Sequence, residues 1–211
     1  MYRILVLFLV ILTTGCNRND TKAHDIKGTD AVDAIDNKAQ IRELIRQVYK
    51  WHEAKDPSDN EMITDGNDSL YIGFNQTVVK RELAEMKATN LFSKAFLDNY
   101  HRIFLILDRK LRRNEIVWPV GELPPFGSGA DPWCNCQDIP YDNPWDAIAV
   151  EIVRLTDEKA ELVWKWGDTG ANTSPEWKQA RYTFRVVKED SKWKIAYMEG
   201  FDLETLTRNM Q

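Results

Sequence analysis

The chain has 211 residues, a formal net charge of −5 and a mean hydropathy of −0.49. The acidic balance, with a pI of about 5.3, argues against a nucleic-acid binder, and the hydropathy excludes a polytopic membrane protein. Eight Trp, seven Tyr and eight Phe exclude a wholly disordered chain, because that much aromatic surface supports a core.

Arg3 is followed by the unbroken apolar run Ile4 to Leu12. Such a run is too short to cross a hydrocarbon layer about 30 Å thick as a permanent helix. A basic start, a short apolar stretch and then small residues have the build of a secretory signal peptide. Leu12-Thr13-Thr14-Gly15-Cys16 resembles a bacterial lipobox, in which the cysteine becomes the lipidated N-terminus after cleavage. The resemblance implies residues 1–15 as a lipoprotein signal peptide, Cys16 as the lipidation site and membrane attachment through that lipid. Asn17 after the cysteine favours the outer membrane, facing the periplasm. Loss of residues 1–15 removes one Arg and no acid, which takes the charge from −5 to −6.

Residues 16–36 read as the lipidated cysteine and a polar tether. Ile41, Leu44, Ile45, Val48, Tyr49 and His52 recur at helical spacing, which predicts a helix over about 37–54 capped by Asp36. Ser58 to Asp68 is loop-rich, and Asp65-Gly66-Asn67-Asp68 reads as a turn. Tyr71 to Phe74 is short and apolar, and Thr77 to Met86 is a candidate short helix. The strongest helical pattern runs through Phe92, Phe96, Tyr100, Ile103, Phe104, Leu107 and Leu111, with Asn90 or Ser93 as cap. Residues 117–146 form a long Pro/Gly-rich loop carrying Trp118, Trp133 and Trp145.

Beyond that loop the apolar period changes to two. Ile148-Val150-Ile152, Leu162-Trp164-Trp166, Tyr182-Phe184-Val186 and Trp193-Ile195-Tyr197 predict four strands, with Glu151, Lys165, Arg181, Arg185 and Lys194 on a solvated face. Turns are expected at Asp157-Glu158-Lys159 and Glu189-Asp190-Ser191, and Gly167 to Pro175 reads as a longer loop. The predicted fold is α+β, with N-terminal helices packed on a curved four-stranded antiparallel meander over 37–205 and a short tail at 206–211.

Three stretches carry a family resemblance: Thr89-Asn90-Leu91-Phe92-Ser93 with Phe96 and Tyr100, Asp131-Pro132-Trp133 followed by Gln137-Asp138, and Trp193-Lys194-Ile195. On these, residues about 39–203 resemble an uncharacterised family of bacterial envelope lipoproteins, the domain of unknown function 3828. The helix and meander order is similar to the cystatin-like, or nuclear-transport-factor-2-like, cone fold. The resemblance implies a fold and a location, and the cone superfamily contains both enzymes and binding proteins.

Cys134 and Cys136 have three readings: a disulfide stapling the loop, a redox-active pair, or two free thiols. They are a poor metal motif, because the chain holds only His24, His52 and His101 as imidazole partners. His52 and His101 lie on predicted helices, where each is either a general base in a cavity or an ordinary partly buried imidazole. Asp131, Asp138 and Asp142 crowd the aromatic loop, where turn formation is the simpler use and a calcium site the sharper one. Trp133 and Trp145, with Gln137 and Asp138, are the candidate ligand or partner surface, against simple packing of the loop on the sheet. No phosphate loop, nucleophile elbow or paired-histidine motif is present, so no cofactor and no metal is expected. The expectation is a lipid-anchored, non-enzymatic binding domain for a small ligand or an envelope protein. The alternatives are a hydrolase, isomerase or dehydratase-like enzyme using a cavity histidine, and an immunity or assembly-type interaction protein.

Overall fold

The computed structural model describes residues 26–55, 62–124, 130–137, 139, 144–167 and 175–205, with the backbone alone for 26–34 and 175–176. Cys16, His24, Asp138, Asp142, the centre of the expected 167–175 loop and the 206–211 tail lie outside the described residues. The first helix, α1, spans Ile26–Glu53. Its expected face is buried: Ile41, Ile45, Val48 and Tyr49 are fully inaccessible and Leu44 nearly so. The helix begins well before the expected start near 37. Asp36 is therefore not its cap but a helix-surface residue, whose carboxylate accepts from Gln40 Nε2 at 2.7 Å one turn on. A short acidic side chain suits both positions, so the sequence signal was ambiguous.

Strands β1 (Met62–Thr64) and β2 (Tyr71–Phe74) form a small antiparallel hairpin. β1 falls in the stretch expected to be loop, because three residues are too few to show an alternating pattern. Asp65 and Asp68 build the connecting turn. Asp65 Oδ1 accepts from Ser69 N at 2.7 Å and Leu70 N at 3.3 Å, and Thr64 Oγ1 donates to Asp68 at 2.5 Å. Those backbone N–H groups, Ser69 first, hold the Asp65 carboxyl below its usual range.

Helix α2 (Gln76–Thr89) is capped by Asn75 at its start and by Asn90, in the left-handed conformation at φ 58°, at its end. Ser93, not Asn90, caps α3 (Lys94–Arg112), its hydroxyl accepting from Phe96 N at 3.2 Å. The α3 stripe is buried from Phe96 to Leu111 as its periodicity predicts. At its far end α3 grips β2: Phe74 N donates to Asp108 Oδ1 at 2.7 Å, and Arg112 bonds both that carboxylate and the Phe74 carbonyl.

Strands β3 (Ile148–Leu155), β4 (Lys159–Trp166), β5 (Tyr182–Glu189) and β6 (Lys192–Met198) form one antiparallel sheet in chain order. A five-residue helix, α4 (Pro175–Gln179), precedes β5. Asp190 and Ser191, both at positive φ, make the tight β5–β6 turn. Between the helices, residues 91–93 run beside β6: Ser93 N donates to Ile195 O, and Ile195 N to Leu91 O, each at 2.8 Å. This covers an edge that would otherwise expose unpaired backbone groups.

Two expectations for β6 are corrected. Val186 pairs with Ile195 but Arg185 pairs with Tyr197, so Ala196 is a bulged extra residue. The bulge moves Tyr197 to the outer face, under the Arg185 guanidinium at 4.0 Å, and turns Met198 into the core instead. Lys194 is not solvated: its side chain is 10% exposed and its ammonium lies 3.3 Å from Asp190 and 3.7 Å from Glu189. The start of α3 and the β5–β6 turn wall it in.

The sheet's inner face meets α1 around Tyr49. The ring stacks on Trp145 at 4.2 Å and meets Trp164 and Phe184 edge-on. Its hydroxyl donates to the Trp133 carbonyl at 2.7 Å and accepts from Trp164 Nε1 at 2.6 Å. Burial pushes the phenol well above its ordinary pKa, so it stays a neutral donor. Tyr49→Phe keeps the ring but orphans a buried carbonyl and a buried indole N–H, each costing about 1–3 kcal/mol. The expected loss of stability is about 3 kcal/mol, read from urea unfolding; a loss under about 0.5 kcal/mol would show that the hydroxyl is not structural.

Candidate functional site

The long loop is organised by one tight turn, residues 131–136. Asp131 N donates to Cys136 O at 3.0 Å, and Asn135 N and Cys134 N donate back to Asp131 O at 2.7 and 3.3 Å. Asp131 Oδ1 accepts from Trp133 N at 2.8 Å. Asn135 takes positive φ, 52°, at the apex, and a Cys134–Cys136 disulfide closes the same turn. Of the three readings for the cysteines, the structure contains the disulfide. Cys134 is buried against the core, which fits a staple of the loop.

The turn is nailed to the core through its carbonyls. Tyr49 bonds Trp133 O, and Tyr182 Oη donates to Pro132 O at 2.5 Å while accepting from Gly200 N at 2.9 Å. Gly200 has to be glycine here, because a Cβ would collide with the Pro132 carbonyl. The short 3₁₀ turn Glu199–Phe201 thus passes directly under residue 132.

Below this turn lies a cavity of about 290 Å³. Among the described residues six aromatic side chains line it: Phe74, Tyr100, Phe104, Trp118, Trp133 and Phe201. Leu123, 43% exposed, and Pro124 lie on its solvent side. Its polar lining includes His52 from α1 and Asp131 from the turn. The His52 ring stacks on Trp133 with centroids 4.1 Å apart, and its Nδ1 is buried without a hydrogen-bond partner. Burial lowers the imidazole pKa to about 4, helped by Lys55 and opposed by Glu82. His52 is therefore neutral at pH 7. Burial raises the Asp131 carboxyl, partly offset by the Trp133 N–H. Beside the cavity Glu82, itself buried, accepts from Lys55 Nζ and from Tyr100 Oη at 3.1 Å.

His101 lies elsewhere. It lines a broader cleft of about 550 Å³ between α2, α3 and the β5–β6 turn, with Asp98, Glu189 and Lys194. The two imidazoles thus occupy different cavities. His52 shares its cavity with a carboxylate, but among the described residues no hydrogen bond joins it to Asp131.

Trp133 and Trp145, read as a candidate ligand or partner surface against simple packing of the loop on the sheet, are both buried. Trp133 is 7% and Trp145 5% exposed, because the loop folds onto α1 and the sheet. Trp145 packs between Tyr49 and Trp166, while Trp133 forms cavity wall rather than outer surface. Gln137 is exposed beside the turn, and Asp138 lies outside the described residues. Sequence reasoning missed the cavity's other aromatics as site residues. Phe74, Phe104 and Phe201 carry no signal that separates cavity wall from core, whereas the Asp131-Pro132-Trp133 motif did mark the turn. Among the described residues no group of three or more His, Cys, Asp or Glu side chains is placed to hold a metal ion. No helix among them is long and apolar enough to cross a membrane. No family model, no curated protein and no solved structure matches this chain.

His52 should register in acid stability. The unfolded imidazole takes a proton near pH 6.5, the folded one only near 4, so protons favour the unfolded state between those values. The contribution is complete above about pH 6.5 and lost as pH falls towards 4. Relative to His52→Gln, the wild type should lose up to about 3 kcal/mol over that window, with Asp131 titration common to both and cancelling. A stability difference independent of pH from 4 to 7 would mean His52 is not held neutral.

Proposed function

We propose that this chain is a lipid-anchored protein of the bacterial cell envelope whose α+β domain, of the cystatin-like cone type, binds a small, largely apolar ligand without transforming it. The observation that carries the reading is the cavity: about 290 Å³, walled among the described residues by six aromatic side chains and few polar ones. That is the composition of a ligand site, apolar lining with sparse polar groups that orient the guest. The anchor rests on the lipobox at Cys16, with the outer membrane and the periplasm as the location.

The enzymatic alternative has one point in its favour, that His52 and Asp131 share the cavity. The lowered imidazole pKa counts against it, since a base near 4 has little driving force for proton abstraction at neutral pH. The envelope protein partner and the immunity or assembly reading both call for an exposed aromatic surface. The burial of Trp118, Trp133 and Trp145 counts against that.

Occupancy can be blocked without touching the core by Leu123→Trp, which adds bulk at the solvent side. The probes are phenyltrimethylammonium and its neutral isostere tert-butylbenzene, followed by tryptophan emission, since Trp118 and Trp133 line the cavity. Saturable binding of at least one probe is expected, weakened at least about tenfold by Leu123→Trp. If neither probe binds, or if Leu123→Trp leaves binding unchanged, the site is misplaced. Separately, Cys16→Ser should abolish lipid labelling and membrane retention in the producing bacterium; survival of both would remove the anchor.

A further inference from the structure

The charge inside the cavity selects among small ligands. Asp131 places a carboxyl on the wall, and its Oδ1 accepts from the Trp133 amide at 2.8 Å. Among the described residues no Lys or Arg forms an ion pair with it. Lys55, whose charge lowers the pKa of His52, is engaged by Glu82. Among the described residues, an anionic guest would meet the Asp131 carboxyl and no cation paired with it. A neutral apolar guest would strip water from that carboxylate and give nothing back, which is costly for a charged group. A cation would do the reverse, supplying the missing counter-charge while the surrounding rings offer their negative quadrupoles.

We infer that the cavity is a site for a small organic cation, an alkylated ammonium group held against Asp131 and caged by Tyr100, Trp118, Trp133 and Phe201. This assignment rests on the cavity being the ligand site, and it names the class of ligand. The alkylated form follows from the donor arithmetic. A primary ammonium carries three N–H donors that each call for an acceptor, whereas the described wall is mostly aromatic carbon, with Asp131, His52 and the Tyr100 hydroxyl among its polar side chains. A tertiary or quaternary nitrogen presents one donor or none, and its methyl groups suit aromatic walls. The volume, about 290 Å³, sits at the lower end of ligand sites and fits a head group with a short substituent. His52 supports the assignment by being neutral: a protonated imidazole on the same wall would repel the guest.

The test compares phenyltrimethylammonium with tert-butylbenzene on the full chain and on Asp131→Asn. Asparagine keeps the Oδ1 acceptor that the Trp133 amide uses, so the turn is preserved while the charge is removed. Expected is binding of the ammonium at least about tenfold tighter than the isostere, with that preference falling to within about twofold in Asp131→Asn. Equal or tighter binding of the neutral isostere by the wild type overturns the cation assignment and leaves the cavity reading standing. So does a preference for the ammonium that survives in Asp131→Asn. Binding of neither probe overturns both. The wild-type ratio decides the question even if the variant fails to fold.

Discussion

A single phenolic oxygen holds three parts of this protein in register. Tyr49 leaves α1 with its ring inside the aromatic core and its hydroxyl between the Trp133 carbonyl and the Trp164 indole. One bond fixes the long loop to the helix, the other fixes the sheet to the same atom. Neither partner has access to water, so each interaction is needed to satisfy a buried polar group rather than merely to add attraction. Tyr182 repeats the device from the sheet side, on the adjacent carbonyl of Pro132. Because both anchors grip consecutive peptide units of a disulfide-closed turn, that turn is effectively part of the core. The cavity lies beneath this anchored turn, which presents Asp131 and Trp133 to it.

Much of the architecture was legible from apolar spacing. The α3 stripe from Phe96 to Leu111, the face of α1 and the period-two strands all follow from patterns that repeat over several turns or pairs. What the pattern missed was shorter than one repeat. A three-residue strand, β1, has no period to detect, and a single bulged residue at Ala196 reverses the phase of everything after it. That is why Tyr197 and Met198 exchange faces. Lys194 was misread for a different reason: alternation assigns a side, but only the packing of neighbouring helices says whether that side is wet.

The site was legible as composition and not as geometry. Asp131-Pro132-Trp133 stood out as a motif, the disulfide was among the readings of its two cysteines, and His52 was a candidate. Their convergence was hidden because it is produced by the Tyr49 and Tyr182 bonds to main-chain carbonyls, and a main-chain acceptor leaves no trace in a sequence. The tryptophans teach the same lesson from the opposite direction. A loop location left a binding surface and packing on the sheet both open, and these rings close the core and bound a hollow within it.

The length of α1 sets a mechanical limit on the domain. The helix begins at Ile26 and runs unbroken to the His52 that lines the cavity. With Cys16 as the proposed membrane anchor, the intervening chain reaches at most about 35 Å even fully extended, at about 3.3–3.6 Å per residue. Under that proposal the helix start is leashed within that reach of the lipid surface. From there the helix carries the cavity outwards as a stiff strut of about 1.5 Å per residue. Its rotation is phased as well as its height: one residue inserted in the exposed part of α1 would swing everything upstream by about 100° relative to the cavity mouth. Under the proposed anchor, the height of the cavity above the lipid is therefore bounded by the count of residues between Cys16 and Ile41.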